Sequence, residues 1–478
     1  MLFNTKLFIL AFLPVAISGY VCVGRLGRRA ALAWLLACSL VFYGCWKPVF
    51  VVLLLFSIAV NFWLGTQLRR GPSWLVLGLV VNLALLGFFK YANFLASLLG
   101  LAPPFGGILL PLGISFFTFQ QIMYLVDTYR GDIQTPPFLD YTCFIAFFPH
   151  LIAGPIVRPG HILPQLAAVQ PRRAWRIRLA EGIEIFFFGL AKKLVLADGL
   201  ARFADPGFGA AAAHDPLTFI EAWVALLAYA LQIYFDFSGY SDMAIGLARM
   251  FGVEFPINFN SPYQARNISA FWRRWNITLS AFLREYLYIP LGGNRRGETR
   301  RIFNVMVTML LGGLWHGAAL RFVVWGALHG AFLILHGWCE RLRLPVPAAV
   351  AWAVTLLCVV LAWVPFRAAD FAAAMDFYRG LFGLNGIAIP ALYIKMLPAL
   401  GHLGHAVPVL PYLGDARTLS LPQAVLFLAL GWFIALALPE LHGMNRPRRN
   451  AALVASFALS VQALLFAPDT VPFLYFQF

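Results

Sequence analysis

Charge is what this 478-residue chain has least of: only 12% of its residues are Asp, Glu, Lys or Arg, about half the ~25% of an average soluble domain. With 61% hydrophobic residues and a mean hydropathy of +0.78, that scarcity excludes an ordinary soluble domain and points to a polytopic membrane protein. Acid is scarcer than base, 20 Asp and Glu against 36 Lys and Arg, for a net charge of +16. The arginines stand in clusters between apolar runs, as at Arg25/Arg28/Arg29, Arg69/Arg70, Arg172/Arg173/Arg176/Arg178, Arg295/Arg296/Arg300/Arg301 and Arg446/Arg448/Arg449. That is the pattern of cytoplasmic loops obeying the positive-inside rule, and no nucleic-acid partner is expected. The six cysteines are scattered through apolar runs with no CxxC pair, which suits small buried hydrophobes better than disulfides. No HExxH occurs, and His402 and His405 lie in a Gly/Pro-rich loop without a carboxylate-rich pairing, so no metal site is expected. A serine-hydrolase Gly-x-Ser-x-Gly elbow is absent as well.

What is present is a series of apolar runs, near 7–23, 31–46, 48–66, 74–90, 108–126, 142–157, 181–197, 219–238, 302–315, 319–339, 347–365, 421–438 and 451–467. The first is followed by its main basic cluster, the opposite polarity to a cleaved signal peptide. It is expected to start outside and end in the cytoplasm, and the hairpin 31–66 then returns to Arg69/Arg70 on the same side. Several runs are shorter than the roughly 20 residues of a membrane-spanning helix. The stretch Leu151–Pro164 is broken by Gly154, Pro155, Pro159 and Gly160, and irregular backbone at membrane depth needs shelter from protein or a wet cavity. The expected fold is therefore all-α, one polytopic transmembrane domain over residues 1–478, with re-entrant helices around a central catalytic cavity. Gly383–Asp415 reads as an extramembrane loop.

Two features carry chemistry. His316 is a titratable ring in the apolar run Gly312-Gly313-Leu314-Trp315-His316-Gly317. A buried imidazole is costly unless it lines a polar cavity, so it is a site candidate; a structural core histidine is the alternative. The segment Asn267–Leu291 reads as an amphipathic helix with Arg273, Asn276, Ser280 and Arg284 on one stripe and Trp272, Trp275, Leu279, Phe282 and Tyr286 on another face. It is either an interfacial anchor or a cavity wall. His329 and His336 lie on the next helix after His316, with His329 either supporting the site or packed in the core.

The ordered strings Gln232-Ile-Tyr-Phe-Asp236-Phe-Ser238-Gly-Tyr240-Ser241-Asp242, Asn258-Phe-Asn-Ser-Pro262-Tyr, Phe271-Trp272-Arg273-Arg274-Trp275, Tyr288-Ile-Pro290-Leu-Gly292-Gly293-Asn294 and Trp315-His316-Gly317 resemble the membrane-bound O-acyltransferase family. The match extends over essentially the whole chain and is closest to the bacterial branch of alginate O-acetyltransferase. The resemblance implies a multi-pass protein of the bacterial inner membrane that takes acetyl groups from cytoplasmic acetyl-CoA and passes them across for O-acetylation of an exported polysaccharide. Alginate is the first expectation, with cellulose or peptidoglycan next. It implies a periplasmic SGNH-hydrolase-like partner and acetyl-CoA as donor, with no permanently bound cofactor. It also implies catalytic roles for His316 as base and for Asn276, where many bacterial relatives carry His. Tyr475, in the terminal Phe473-Leu474-Tyr475-Phe476-Gln477-Phe478, would be an acyl carrier; the alternative for this tail is an aromatic belt at the membrane interface. Arg273, Ser280, Trp315 and Asp236 are candidates for substrate binding, and Asp236 is equally suited to a structural role. Arg295 and Arg296 are candidates for the phosphates of coenzyme A, with a positive-inside loop as their other reading. A transporter or lipid-linked glycan flippase, which also places polar residues at the midplane, is the competing class.

Overall fold

The computed structural model describes residues 1–102, 109–169, 174–343, 345–407, 410–413, 421–466 and 472–474. It is helical almost throughout, as the apolar periodicity predicts. The exception among the described residues is a parallel pair of three-residue strands, Ala388–Pro390 with His405–Val407, inside the Gly/Pro-rich stretch that reads as a loop. Seven of the described helices are long and apolar enough to cross a membrane: Phe8–Leu26, Val49–Arg70, Pro72–Leu98, Phe219–Met250, Leu320–Arg341, Ala348–Arg367 and Arg446–Phe466. Other apolar runs become shorter or interrupted elements. The run near 142–157 splits into Phe138–Ala146 and Phe148–Leu151, and residues 151–157 continue as wholly buried backbone, almost none of it helical. Protein shelters it, as irregular backbone in a bilayer requires.

The chain divides into two compact units, one formed by Met1–Ala191, Ser238–Asn258 and Asn445–Phe478, the other by Lys192–Phe237 and Phe259–Met444. In the first, polar side chains on apolar helices find one another. Asn82 Nδ2 donates to Asn61 Oδ1 at 2.5 Å, and Gln121 Nε2 donates to Ser57 Oγ at 3.1 Å. Such pairing relieves the cost of an amide in hydrocarbon and ties neighbouring helices. His150 is equally settled, its Nε2 2.9 Å from Phe144 O and its Nδ1 2.5 Å from Gln120 Nε2. The chain's last described residues also pack here. Phe473 and Leu474 are buried, and Phe473 stacks on Tyr240 at 4.6 Å, which stacks on Phe3 at 4.8 Å. Burial against protein rings is not what an interfacial belt predicts for these two residues. Tyr475 lies outside the described residues.

The second unit contains the chemistry-bearing motifs. A π-helical turn, Lys192–Ala197, brings two consecutive lysines inward. Lys192 Nζ lies 2.5 Å from Glu440 Oε2, and Tyr234 OH donates to Glu440 Oε1 at 2.5 Å. Lys193 Nζ lies 2.7 Å from both Asp198 Oδ1 and Asp236 Oδ1. Buried charges in an apolar protein survive by such pairing.

Candidate active site

The helix Gly297–His316 ends at the histidine, and Gly317 leaves in an extended conformation before Leu320–Arg341 turns back. Glycines set how closely this hairpin closes. A Cβ on Gly313 would stand 2.1 Å from Phe322 O, and one on Gly326 would stand 2.2 Å from Met309 O. The two backbones therefore touch, as small residues allow in membrane helix pairs. Gly317 is needed for a different reason: its Cβ would lie 2.1 Å from the Phe322 ring. The Gly-Gly-Leu-Trp-His-Gly run is thus partly a packing code, and it delivers one imidazole to a fixed place.

That place is an aromatic cage. His316 is buried, with ring centres 4.8 Å from Trp315, 5.0 Å from Trp325 and 5.1 Å from Phe366. The wall carrying Phe366 is held by Arg321, which donates to Phe366 O at 3.2 Å and to Ala368 O at 2.5 Å. These are the carbonyls at the end of helix Ala348–Arg367, where a cation is favoured. Trp325 continues to His329 at 4.6 Å and to Trp272 at 5.8 Å. His329 is fully buried, stacks near Phe271 and meets Trp272 edge-on, and neither ring nitrogen has a hydrogen-bond partner among the described residues. Buried ring nitrogens are costly without a partner, so this imidazole suits a site that supplies one. Only its i, i+4 spacing from Trp325 signalled this in the sequence.

The segment 267–291 differs from the single helix that its spacing predicts. Ile268–Trp272 is a short helix capped by Asn267, the chain breaks at Arg273–Asn276, and Ile277–Leu283 begins anew before a π turn at Arg284–Tyr288. Asn276 is the hinge of the break, with φ 42° and ψ 55°. The stripe Arg273–Asn276–Ser280–Arg284 is therefore not continuous. Arg273 is exposed and donates to Ser269 Oγ at 2.8 Å, and Ser280 is half-buried. Asn276 itself is buried, and its Nδ2 has no hydrogen-bond partner among the described residues. Its neighbour Trp275 packs on Trp363 at 5.0 Å, and Trp363 packs on Trp325 and Phe366 at 5.9 and 5.3 Å. The same rings that enclose His316 thus support the Asn276 turn. A left-handed conformation is several-fold enriched in Asn and His, a backbone reason for either residue at this position.

The remaining candidates separate. Trp315 is part of the cage. Asp236 is buried in its ion pair with Lys193, which fits the structural role. Arg295 and Arg296 are exposed in the turn before Gly297, at the far end of a 20-residue helix from His316, about 30 Å by helical rise. In the same basic cluster Arg301 grips Glu298 through two bonds of 2.6 and 2.7 Å, and Arg341 joins them. These contacts hold the Glu298 carboxyl down at about 2. The exposure of Arg295 and Arg296 is that of a surface loop, and their distance from His316 keeps them from the reacting end of a donor without bearing on its phosphates. Among the described residues no group of His, Cys, Asp and Glu could hold a metal ion.

A buried histidine at a helix end, caged by aromatics, shares those rings with the turn of a buried amide, side chains suited to acyl transfer. Residues 34–366 match the model of the MBOAT, membrane-bound O-acyltransferase family. The chain is 39% identical to the probable alginate O-acetylase AlgI of Pseudomonas putida over the full length of both proteins. It is 42% identical to the peptidoglycan O-acetyltransferase of Helicobacter pylori, covering 81% of each chain. It is also 42% identical to the probable alginate O-acetylase AlgI of Pseudomonas aeruginosa, covering 87% of this chain and 81% of that one. The chain belongs to the membrane-bound O-acyltransferase family and is a multi-pass membrane O-acyltransferase. The glycan-transporter alternative falls with that assignment.

Proposed function

We propose that this protein is an acetyltransferase that takes acetyl from cytoplasmic acetyl-CoA and passes it across the bacterial inner membrane for O-acetylation of an exported polysaccharide. The observation that carries this reading is the buried, caged imidazole of His316 sharing its rings with the turn that holds the Asn276 amide. Neutral His316 removes the proton of the attacking hydroxyl as its oxygen bonds to the thioester carbon. The C–S bond then breaks, and the proton returns to the departing thiolate. The Asn276 N–H groups supply donors for the transient oxyanion. Tyr475 serves as the intermediate acyl carrier, dividing transfer into two ester-forming steps, and a periplasmic SGNH-hydrolase-like partner completes transfer to polymer. Alginate is favoured as acceptor by full-length similarity to two proteins named probable alginate O-acetylase AlgI. Peptidoglycan is the second reading, favoured by a relative of comparable identity that carries that name.

Purified protein incubated with acetyl-CoA should release free thiol. His316→Gln keeps a polar side chain of similar reach without the base, and should lower that rate on the order of 10²–10⁴-fold with protein abundance unchanged. A His316→Gln protein that releases thiol at the wild-type rate would overturn the assignment.

A further inference from the structure

A cavity of about 590 Å³ lies within the second unit, away from the His316 cage, between the last turns of helix Leu320–Arg341 and the first turns of Ala348–Arg367. Its volume falls inside the ~300–1,000 Å³ of small-molecule sites, and its lining combines a few charged groups with apolar ones. Glu340 stands near the connecting loop with His336 one turn before it, Arg266 also lines the groove, and Phe332, Val354 and Cys358 stand further from the loop. On the second helix the lining residues Ala348, Ala351, Val354, Thr355 and Cys358 form one stripe at helical spacing. Ten residues of rise make that stripe about 15 Å long, half the ~30 Å hydrocarbon thickness of a bilayer. The groove is therefore one leaflet deep.

Its flanks are open to the bilayer: Leu335 and Val354 on its two walls are both about half exposed. Both walls belong to helices able to cross a membrane, and their shared end carries Arg341 and Arg343, the cytoplasmic mark of the positive-inside rule. The lining offers two opposite charges. Arg266 is exposed and makes no ion pair among the described residues. The Glu340 carboxylate is 67% exposed, lies 3.3 Å from His336 Nε2 and feels the charge of Arg301. A cation and a carboxylate lining an apolar, leaflet-deep slot match a headgroup that carries both a phosphate and a primary ammonium.

We propose that this groove binds a phosphatidylethanolamine of the cytoplasmic leaflet, with its phosphate on Arg266, its ammonium on Glu340 and one acyl chain along the Ala348–Cys358 stripe. Phosphatidylglycerol lacks the ammonium, and phosphatidylcholine lacks the N–H donors that a carboxylate accepts from. Purified protein, stripped of lipid and offered the three lipids with identical acyl chains, should retain phosphatidylethanolamine about fivefold over either competitor in native mass spectrometry, the size of one modest ion pair. Arg266→Gln and Glu340→Gln are exposed changes outside the cage; Glu340→Gln should erase that preference, while Arg266→Gln should lower retention of all three lipids, which share the phosphate. Ala351→Phe, filling the slot, should lower retention of all three lipids. Equal retention of the three, a preference for phosphatidylglycerol, selectivity surviving in Glu340→Gln, or unchanged retention in Arg266→Gln would overturn the proposal. So would displacement of bound lipid by acetyl-CoA, because the groove would then belong to the donor.

Discussion

Replacing Asn276 by leucine removes two things together, and the structure allows them to be separated. The residue holds a left-handed turn at φ 42°, and its amide Nδ2 is buried without a partner among the described residues. An L-residue other than Asn or Gly pays about 1–2 kcal/mol for that backbone, whereas glycine adopts it freely. Asn276→Gly therefore keeps the turn and deletes the amide. Its thermal stability in detergent should stay near that of the wild type, while thiol release from acetyl-CoA falls on the order of 10²–10³-fold, the size of one lost oxyanion donor. Asn276→Leu should show the same loss of rate and, in addition, about 1–2 kcal/mol of destabilisation. Asn276→His tolerates the backbone, restores N–H donors and should recover part of the rate. Near-normal turnover in Asn276→Gly would show that the amide plays no part in the reaction. A leucine variant as stable as the wild type would refute the backbone argument.

Tyr475→Phe preserves an apolar tail and deletes only the phenol. It should abolish polymer acetylation while thiol release persists as slow hydrolysis, and normal polymer acetylation in that variant would end the carrier role. Outside the membrane-spanning helices, His214 Nδ1 lies 2.8 Å from Asp376 Oδ2, and that bond raises the imidazole above its ordinary 6.5 while holding the Asp376 carboxyl low. A raised histidine contributes stability that is complete below its unfolded value and is lost as pH rises through the folded one. The small thermal-stability gap between wild type and His214→Gln should accordingly narrow from pH 5.5 to pH 9; a gap independent of pH would contradict the pairing.

Much of the fold was legible because a bilayer is a strict solvent. Apolar run lengths, arginine clusters and the Gly/Pro interruption after Leu151 reflect the same constraint, and the structure carries each as a long helix, a helix end or a sheltered irregular stretch. The histidine of the cage was legible for the same reason, since an imidazole in an apolar run has few bland explanations. The features that stay hidden in the sequence are non-local or turn on a single residue. Arg273, Asn276 and Ser280 obey helical spacing, so periodicity alone joins two short helices that one left-handed residue divides. Lys193 has one partner nearby in sequence, Asp198, but Asp236 is 43 positions away and Glu440 lies 248 positions from Lys192. His329 reads like any histidine on a packed helix until its two unmatched nitrogens are located beside Trp325.

The touching backbones at Gly313 and Gly326 have a consequence for motion. Helices separated by side chains can roll or slide by repacking those side chains, but helices in backbone contact have no such slack. The hairpin that carries His316 at its tip and His329 on its second limb is the stator of this enzyme. Motion near the cage is expected instead in the segment broken at Asn276, where a single pair of dihedrals joins two short helices. Slow amide exchange along the hairpin beside faster exchange across Arg273–Ile277 would be the signature of that division.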